Sequence, residues 1–278
     1  MKLIYITPNN FLLEVAHALA GMGHSLVSRT DWADVILCMS VTQMDLCEEA
    51  MRANPRAKLF VYNWDVYEWS LKNPRPREYD WKRFKELCLK ATEVWVPSEA
   101  EAGRYRRWTG KESVIVKTCV PFWTMPDIEP RDSRFVLDTL RETPDPYWGM
   151  AEKACRELGI PFVASRHVQG FAKYAQLLAS CTMSVSTLQE ASTGGLGLVE
   201  AAWYGKPCLV PNNPENAGAE YVPGAFRFAA GDLADLKAKI KELWETPAID
   251  YGCADRARIR KDFSAEAMAA AIDARLRV

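Results

Sequence analysis

The run Ser192–Val210, STGGLGLVEAAWYGKPCLV, holds glycines at 194, 195, 197 and 205 and a single acid, Glu200, ahead of an apolar segment. Residues Gly194–Gly197 fall between the strand-like TMSVST and a helix predicted to begin near Leu198. Glycine lets the backbone come close to a ligand. The unpaired N–H groups and dipole of a helix start favour a phosphate or diphosphate. Glu200 falls in the first helical turn, where an acid complements the dipole or serves a ligand; spacing alone leaves both roles open. The glycine order is not GxGxxG and no GxxxxGK[ST] occurs, so neither a nicotinamide-dinucleotide site nor a P-loop is expected.

Such a turn needs a strand before it and a helix behind it, and the chain supplies both repeatedly. LIYIT, HSLV, ADVILCM, KLFVYNW, EVWVPS and SVIVKT read as strands, with helical patterns near 11–21, 42–54, 80–91 and 98–109. Runs rich in Val and Ile without polar alternation predict strands covered on both faces, as in a parallel doubly wound sheet. The stretch 119–134 carries several prolines and no period, which predicts a linker. The alternation then resumes with RFVLDTL, PFVASR, TMSVST, PCLVPN and AFRFAAG. Helices are expected near 145–158, 170–181, 197–204, 232–245 and 252–277, the last broken around Asp262–Phe263. The expected layout is an N-terminal Rossmann-like domain over 1–120, a proline-rich linker over 121–134 and a second Rossmann-like domain over 135–262. A C-terminal helix over 263–278 is free to pack back on the first domain. Ligands of open α/β sheets bind at the carboxyl ends of the strands, so two such domains would face a central cleft.

Bulk composition narrows the function classes. The 278 residues are 49% hydrophobic and 26% charged with a formal net charge of −1, which argues against a surface built wholly for nucleic acid or anionic membrane. No apolar run approaches the ~20 residues of a membrane span. The start MKLIYIT reads as a first strand rather than a secretory signal. The eight cysteines are scattered with neither zinc nor CxxC spacing, and read as reduced core thiols of a cytoplasmic protein.

The stretch from Gly170 to Glu245 resembles the C-terminal domain of GT-B glycosyltransferases, especially the retaining family 4. GFAKYAQLLASCTMSVST, GLGLVEAAWYGKPCLV and NPENAGAEYVPGAFRFAAGDLADLKAKIKELWE follow that family's order, with Ser186 in its serine position. The resemblance implies a GT-B fold and sugar transfer from a nucleoside-diphosphate sugar, such as a UDP- or GDP-sugar, with retention, no metal and no further cofactor. It gives Glu200 the ribose hydroxyls, for which a carboxylate suits because it can accept from both. Gly194, Gly195, Leu196, Gly197 and Leu198 take the diphosphate. The family's first glutamate lies eight positions before the second; here Ser192 holds that place, and its role near the reacting carbon is carried to Glu190 across a two-residue insertion. A family G-R-x-x-x-K-G loop matches at Arg141 but lacks its lysine; Arg166 and Lys206 are candidate replacements, Lys206 reading first as a solvated turn residue.

The acceptor side belongs to the first domain. Asn9 and Asn10 follow the first strand. In YNWDVYEW, Asp65 is placed to orient an acceptor hydroxyl, and Trp64 and Trp69 either stack on a sugar or fill the core. His167, after PFVASR, either reaches the donor base or sits on an exposed loop; His17 and His24 read as structural. Basic residues between 72 and 117 interleave with aromatics, which reads as a solvated helix face or as a nucleic-acid track. The resemblance implies a saccharide, glycoconjugate or small-molecule acceptor or, as a minority reading that viral enzymes of the GT-B plan suggest, a hydroxymethylated base in DNA. A GT-B-like nucleotide-sugar epimerase and a non-catalytic nucleotide-sugar-binding relative remain alternatives.

Overall fold

The computed structural model describes residues 1–7, 13–63, 80–120, 127–128, 133–139, 149–168, 170–187, 196–214, 216–246 and 253–277, with backbone alone at 167, 217 and 253–255. The chain divides into two compact units, Met1–Pro121 with Asp262–Val278, and Phe122–Lys261. Along the first run β1 (Leu3–Ile6), α1 (Leu13–Gly21), β2 (Ser25–Leu26), β3 (Val35–Cys38), α2 (Met44–Ala53), β4 (Lys58–Tyr62), α3 (Trp81–Lys90), β5 (Glu93–Val96), α4 (Glu99–Thr109) and β6 (Val114–Ile115). The second holds β7 (Val136–Asp138), α5 (Met150–Leu158), β8 (Phe162–Ala164), α6 (Phe171–Ser180), β9 (Met183–Val185), α7 (Leu196–Trp203), β10 (Cys208–Pro211), α8 (Ala217–Tyr221), β11 (Phe226–Phe228), α9 (Leu233–Glu245) and α10 (Cys253–Asp262). Last comes α11 (Ala265–Leu276), in the first unit.

Both sheets are parallel throughout the described residues. Their orders are β2-β1-β3-β4-β5-β6 and β11-β10-β9-β7-β8. Each sheet grows from its first strand in both directions, so β1/β3 and β7/β9 are the points where strand order reverses. Ligands of doubly wound sheets gather at the carboxyl ends of such strands.

The apolar runs divide by the two-residue period of a strand. Val35 and Leu37 join Ile4, Val15, Leu19 and Trp95 on one face of the first sheet. Ile36 and Cys38 join Val61, Phe84 and Tyr105 on the other. In the second sheet Val136, Met183, Val185 and Leu209 pack with Ala154, Leu236 and Ile240. A fully buried Ile or Leu at such positions is worth about 1.5–3 kcal/mol over an exposed one.

Helix α11 closes the first face with Met268, Ala269, Ile272 and Leu276. Ser264 starts it by accepting from the Ala267 N–H at 3.1 Å. Phe263 just before it is fully buried, and its carbonyl accepts from the Val120 N–H at 2.8 Å. Arg275 Nε donates to Glu93 Oε2 at 3.0 Å, and His24 Nε2 lies 2.7 Å from Asp273 Oδ1. The turn that separates α10 from α11 is thus capped and anchored.

Two details differ from the sequence expectation. HSLV contributes only Ser25–Leu26 to the sheet. The segment 217–221 forms the short helix α8, capped by Asn216 accepting from the Gly218 N–H at 2.8 Å. Five residues are too few to show a helical period in sequence.

Candidate functional site

The site is built at the β7/β9 switch of the second unit. Strands β7 and β9 pair in the register Val136↔Met183, Leu137↔Ser184 and Asp138↔Val185. The chain continues as Thr139 and Ser186, side by side just past the strand ends. The Thr139 N–H still donates to the Val185 carbonyl at 3.3 Å. By strand alternation Leu137, Thr139, Ser184 and Ser186 share the face opposite the Val136–Val185 core. Helix α7 lies on that face, since the Cys208 thiol, paired in register with Ser184, donates to the Leu198 carbonyl at 3.4 Å.

Gly197 determines how near α7 comes. A Cβ at this position would stand 2.7 Å from Thr139 Cβ, and 3.0 Å from both its carbonyl oxygen and Oγ1. Only a glycine allows the first turn of α7 to rest on the end of β7. The free N–H groups of that helix start are thereby held at the switch point.

Two hydroxyls beside it lack partners. Thr139 and Ser186 are 4% and 1% exposed, and neither Thr139 Oγ1 nor Ser186 Oγ has a hydrogen-bond partner among the described residues. A buried hydrogen bond left unmade costs about 1–3 kcal/mol, and in a native protein it calls for an explanation. Both are donors, as are the N–H groups above them. The chemistry of this donor set suits an anion.

Glu200 sits one turn into α7 and is half-buried. Tyr174 of α6, 3% exposed, donates its hydroxyl to Glu200 Oε2 at 2.7 Å. Sequence reasoning passed over Tyr174. The available signal was a tyrosine on the buried face of FAKYAQLLAS, since a buried phenol usually seeks a polar partner.

The other expected site residues are placed differently. Arg166 lies in the turn Ser165–His167 after β8. Its Nη1 is 3.9 Å from Asp138 Oδ2 and its Nη2 3.6 Å from Glu152 Oε2. Asp138 points to the face opposite Thr139, so this guanidinium balances carboxylates on the far side of the sheet from α7. Lys206 follows the last turn of α7, where Gly205 takes φ +74° and the Lys206 N–H donates to the Ala201 carbonyl. An eight-residue helix puts that turn about 12 Å from the helix start. Asn9, Asn10, Trp64, Asp65, Trp69, Arg141, Glu190, Gly194 and Gly195 lie outside the described residues, as does the His167 side chain.

Four basic residues of the basic and aromatic stretch of the first unit are fastened to their own chain among the described residues. Arg83 pairs with Asp45 and Glu48, Lys85 donates to the Trp108 carbonyl, and Arg106 pairs with Glu112. Glu101 and Arg104 form a buried pair at 2.9 Å. Trp81, Phe84, Tyr105 and Trp108 pack against one another, with ring centroids 5.8–6.3 Å apart. Burial pushes the thiols of Cys119, Cys155 and Cys181 up to about 12, far from a reactive thiolate. Among the described residues, no group of three His, Cys, Asp or Glu is placed to hold a metal, and no helix is long and apolar enough to cross a membrane.

No protein-family model matches the sequence, and no curated protein matches it. Solved structures do match the fold. The sucrose-phosphate synthase of Thermosynechococcus elongatus aligns over 100% of this chain and 98% of its own, with TM-score 0.72 at 12% identity. Anabaena HepE in complex with UDP and glucose aligns over 100% and 99%, with TM-score 0.71 at 14% identity. A glycosyltransferase from Rickettsia africae aligns over 97% and 96%, with TM-score 0.66 at 13% identity. The chain has the GT-B fold of these neighbours.

Proposed function

We propose that this chain is a glycosyltransferase that moves a sugar from a nucleoside-diphosphate sugar to an acceptor hydroxyl. The observation that carries this is the seat of α7: Gly197 on Thr139 at the β7/β9 switch, with two unpartnered buried hydroxyls beside it and Glu200 one turn on. HepE, a structural neighbour of the same fold, has been seen with UDP-glucose bound, which supports a donor of that class here.

In this reading the diphosphate lies against the N–H groups of Gly194, Gly195, Leu196, Gly197 and Leu198, with Thr139 and Ser186 donating from below. Arg141 adds positive charge, since an arginine can grip phosphate through two N–H groups at once. Arg166 is already shared between Asp138 and Glu152 and contributes from the far side. Glu200 accepts from the ribose hydroxyls and His167 stands near the base. Glu190 contacts the sugar beside the reacting carbon.

During transfer the bond from the anomeric carbon to the diphosphate oxygen breaks and a bond to the acceptor oxygen forms. The acceptor proton passes to the departing diphosphate, on the face it leaves, giving retention. Donors fixed in advance where negative charge grows are the main source of rate in such a step. The helix start and Arg141 supply them without a metal. Asp65 orients the acceptor hydroxyl, with Asn9, Asn10, Trp64 and Trp69 around it. A saccharide or glycoconjugate acceptor is favoured, because Arg83, Arg104 and Arg106, three of the arginines that would track a nucleic-acid backbone, are tied to the chain's own acids.

A thermal-shift panel of UDP, GDP, ADP and their sugar conjugates tests this. A ligand that binds only the native state raises its melting temperature by mass action. One nucleotide family is expected to do so, and Glu200→Ala is expected to abolish the shift with little change in the melting temperature without ligand. A folded protein that responds to none of them overturns the assignment.

A further inference from the structure

We infer that Tyr174 is a positioning residue for the ribose: its hydroxyl presets the Glu200 carboxylate and so makes the site prefer ribonucleotides over deoxyribonucleotides. This rests on the donor-site reading given above for Glu200.

The geometry is direct. Tyr174 Oη is 2.7 Å from Glu200 Oε2, and the two residues come from neighbouring helices, 26 positions apart. A carboxylate carries no proton to give, so the phenol must be the donor and its hydrogen points at Oε2. Hydrogen bonds to an ionised acceptor are about twice as strong as neutral ones. The tyrosine ring is itself held on the buried face of α6 with Ala175, Leu178 and Ala179, so its hydroxyl is a fixed post rather than a mobile one.

A glutamate on a helix surface turns about several side-chain bonds. A ligand that needs it in one orientation must first stop that motion. Fastening one oxygen to Tyr174 limits that rotation beforehand, and one such bond does not exhaust the several lone-pair sites with which a carboxylate can accept. It also sharpens discrimination. A carboxylate locked toward the diol is left with an unmade hydrogen bond when a deoxynucleotide binds, which is how sites built around a hydroxyl reject its absence. A carboxylate without that bond would be less fixed and would discriminate less.

Isothermal titration of UDP, GDP and ADP, and of the 2′-deoxy and 3′-deoxy forms of whichever binds, tests the inference on wild type, Tyr174→Phe, Glu200→Ala and the double variant. Phenylalanine keeps the ring and removes only the hydroxyl. Tyr174→Phe is expected to weaken the ribonucleotide about tenfold and leave the deoxy forms unchanged, so the preference ratio falls. In the Glu200→Ala background it is expected to do nothing more, because coupled residues lose one shared effect. Equal weakening of ribo and deoxy forms identifies a merely structural tyrosine and overturns the inference, as does no weakening at all. Both outcomes leave the donor site standing. If wild type binds none of the three nucleotides, the donor site falls and the inference falls with it.

Discussion

The two points where strand order reverses are alike in topology and opposite in how their hydrogen bonds are filled. At β1/β3, Thr7 is fully buried and saturated by its own chain. Its hydroxyl lies 3.2 Å from the Leu37 carbonyl oxygen and within reach of the Gln43 side-chain oxygen, and it accepts from the Met39 N–H at 3.2 Å. At β7/β9, Thr139 and Ser186 are buried to the same degree, yet their hydroxyls meet no partner among the described residues. Thr7 is a lock between strand ends, complete without a ligand. Under the proposed function, Thr139 and Ser186 hold donors that would regain their hydrogen bonds on an anion.

The sharpest way to break this contrast is Gly197→Ala. The added Cβ meets Thr139 Cβ and backbone, neither of which can swing away, so α7 must lift off the strand end. Overpacking of this kind costs about 1–3 kcal/mol. Loss of the helix start is expected to remove the nucleotide-induced rise in melting temperature as well. Gly205→Ala at the other end of the same helix is the control. Its strain is a left-handed φ of +74°, while a Cβ there would make only an ordinary 3.7 Å contact with Arg256 Cδ, so the cost is about 1–2 kcal/mol. Its nucleotide response is expected to survive. A Gly197→Ala protein that still responds to nucleotides removes α7 from the site.

How much of this was legible in the sequence follows from how far each interaction reaches along the chain. The strands and helices were readable because their signals are local: VILC is apolar at every position and buried at every position. The break before α11 was readable at Asp262–Phe263. The glycine turn was visible as a run, but not which glycine mattered, because Gly197 is required by Thr139, a residue brought beside it only by the sheet. Tyr174 and Glu200 are likewise joined across helices. That Thr7 finds partners and Thr139 finds none among the described residues depends on which atoms the fold brings near each hydroxyl. No spacing rule carries that information.

A smaller effect tests the hydroxyls themselves. Thr7→Val discards hydrogen bonds that the chain makes, leaving buried partners unmatched, and is expected to cost about 1–3 kcal/mol in a urea melt. Thr139→Val discards none among the described residues. It is expected to leave stability within about 0.5 kcal/mol of wild type, while weakening nucleoside diphosphates several-fold and the parent nucleoside not at all. Equal losses of stability in the two variants would erase the distinction between a closed switch point and an open one.

The smallest expected effect concerns the fastening of the first unit. Hydrogen bonds from Arg275, then from the Trp95 indole, hold the Glu93 carboxyl below its ordinary value, against a partial opposing effect of burial. A carboxyl depressed in the folded state adds stability above its unfolded value of about 4.3, and that stability is lost as pH falls through the lower folded value. Arg275 is 36% exposed, so solvent screening keeps the contribution under about 1 kcal/mol. Urea midpoints of wild type and Glu93→Gln are expected to differ at pH 6 and to converge below pH of about 4. The same acid step should loosen the amides of α11 in hydrogen exchange, since Arg275 ties that helix to β5. Protection lost first in α7 instead would mean that the second unit, with its unfilled hydroxyls, yields to acid before the fastened one does.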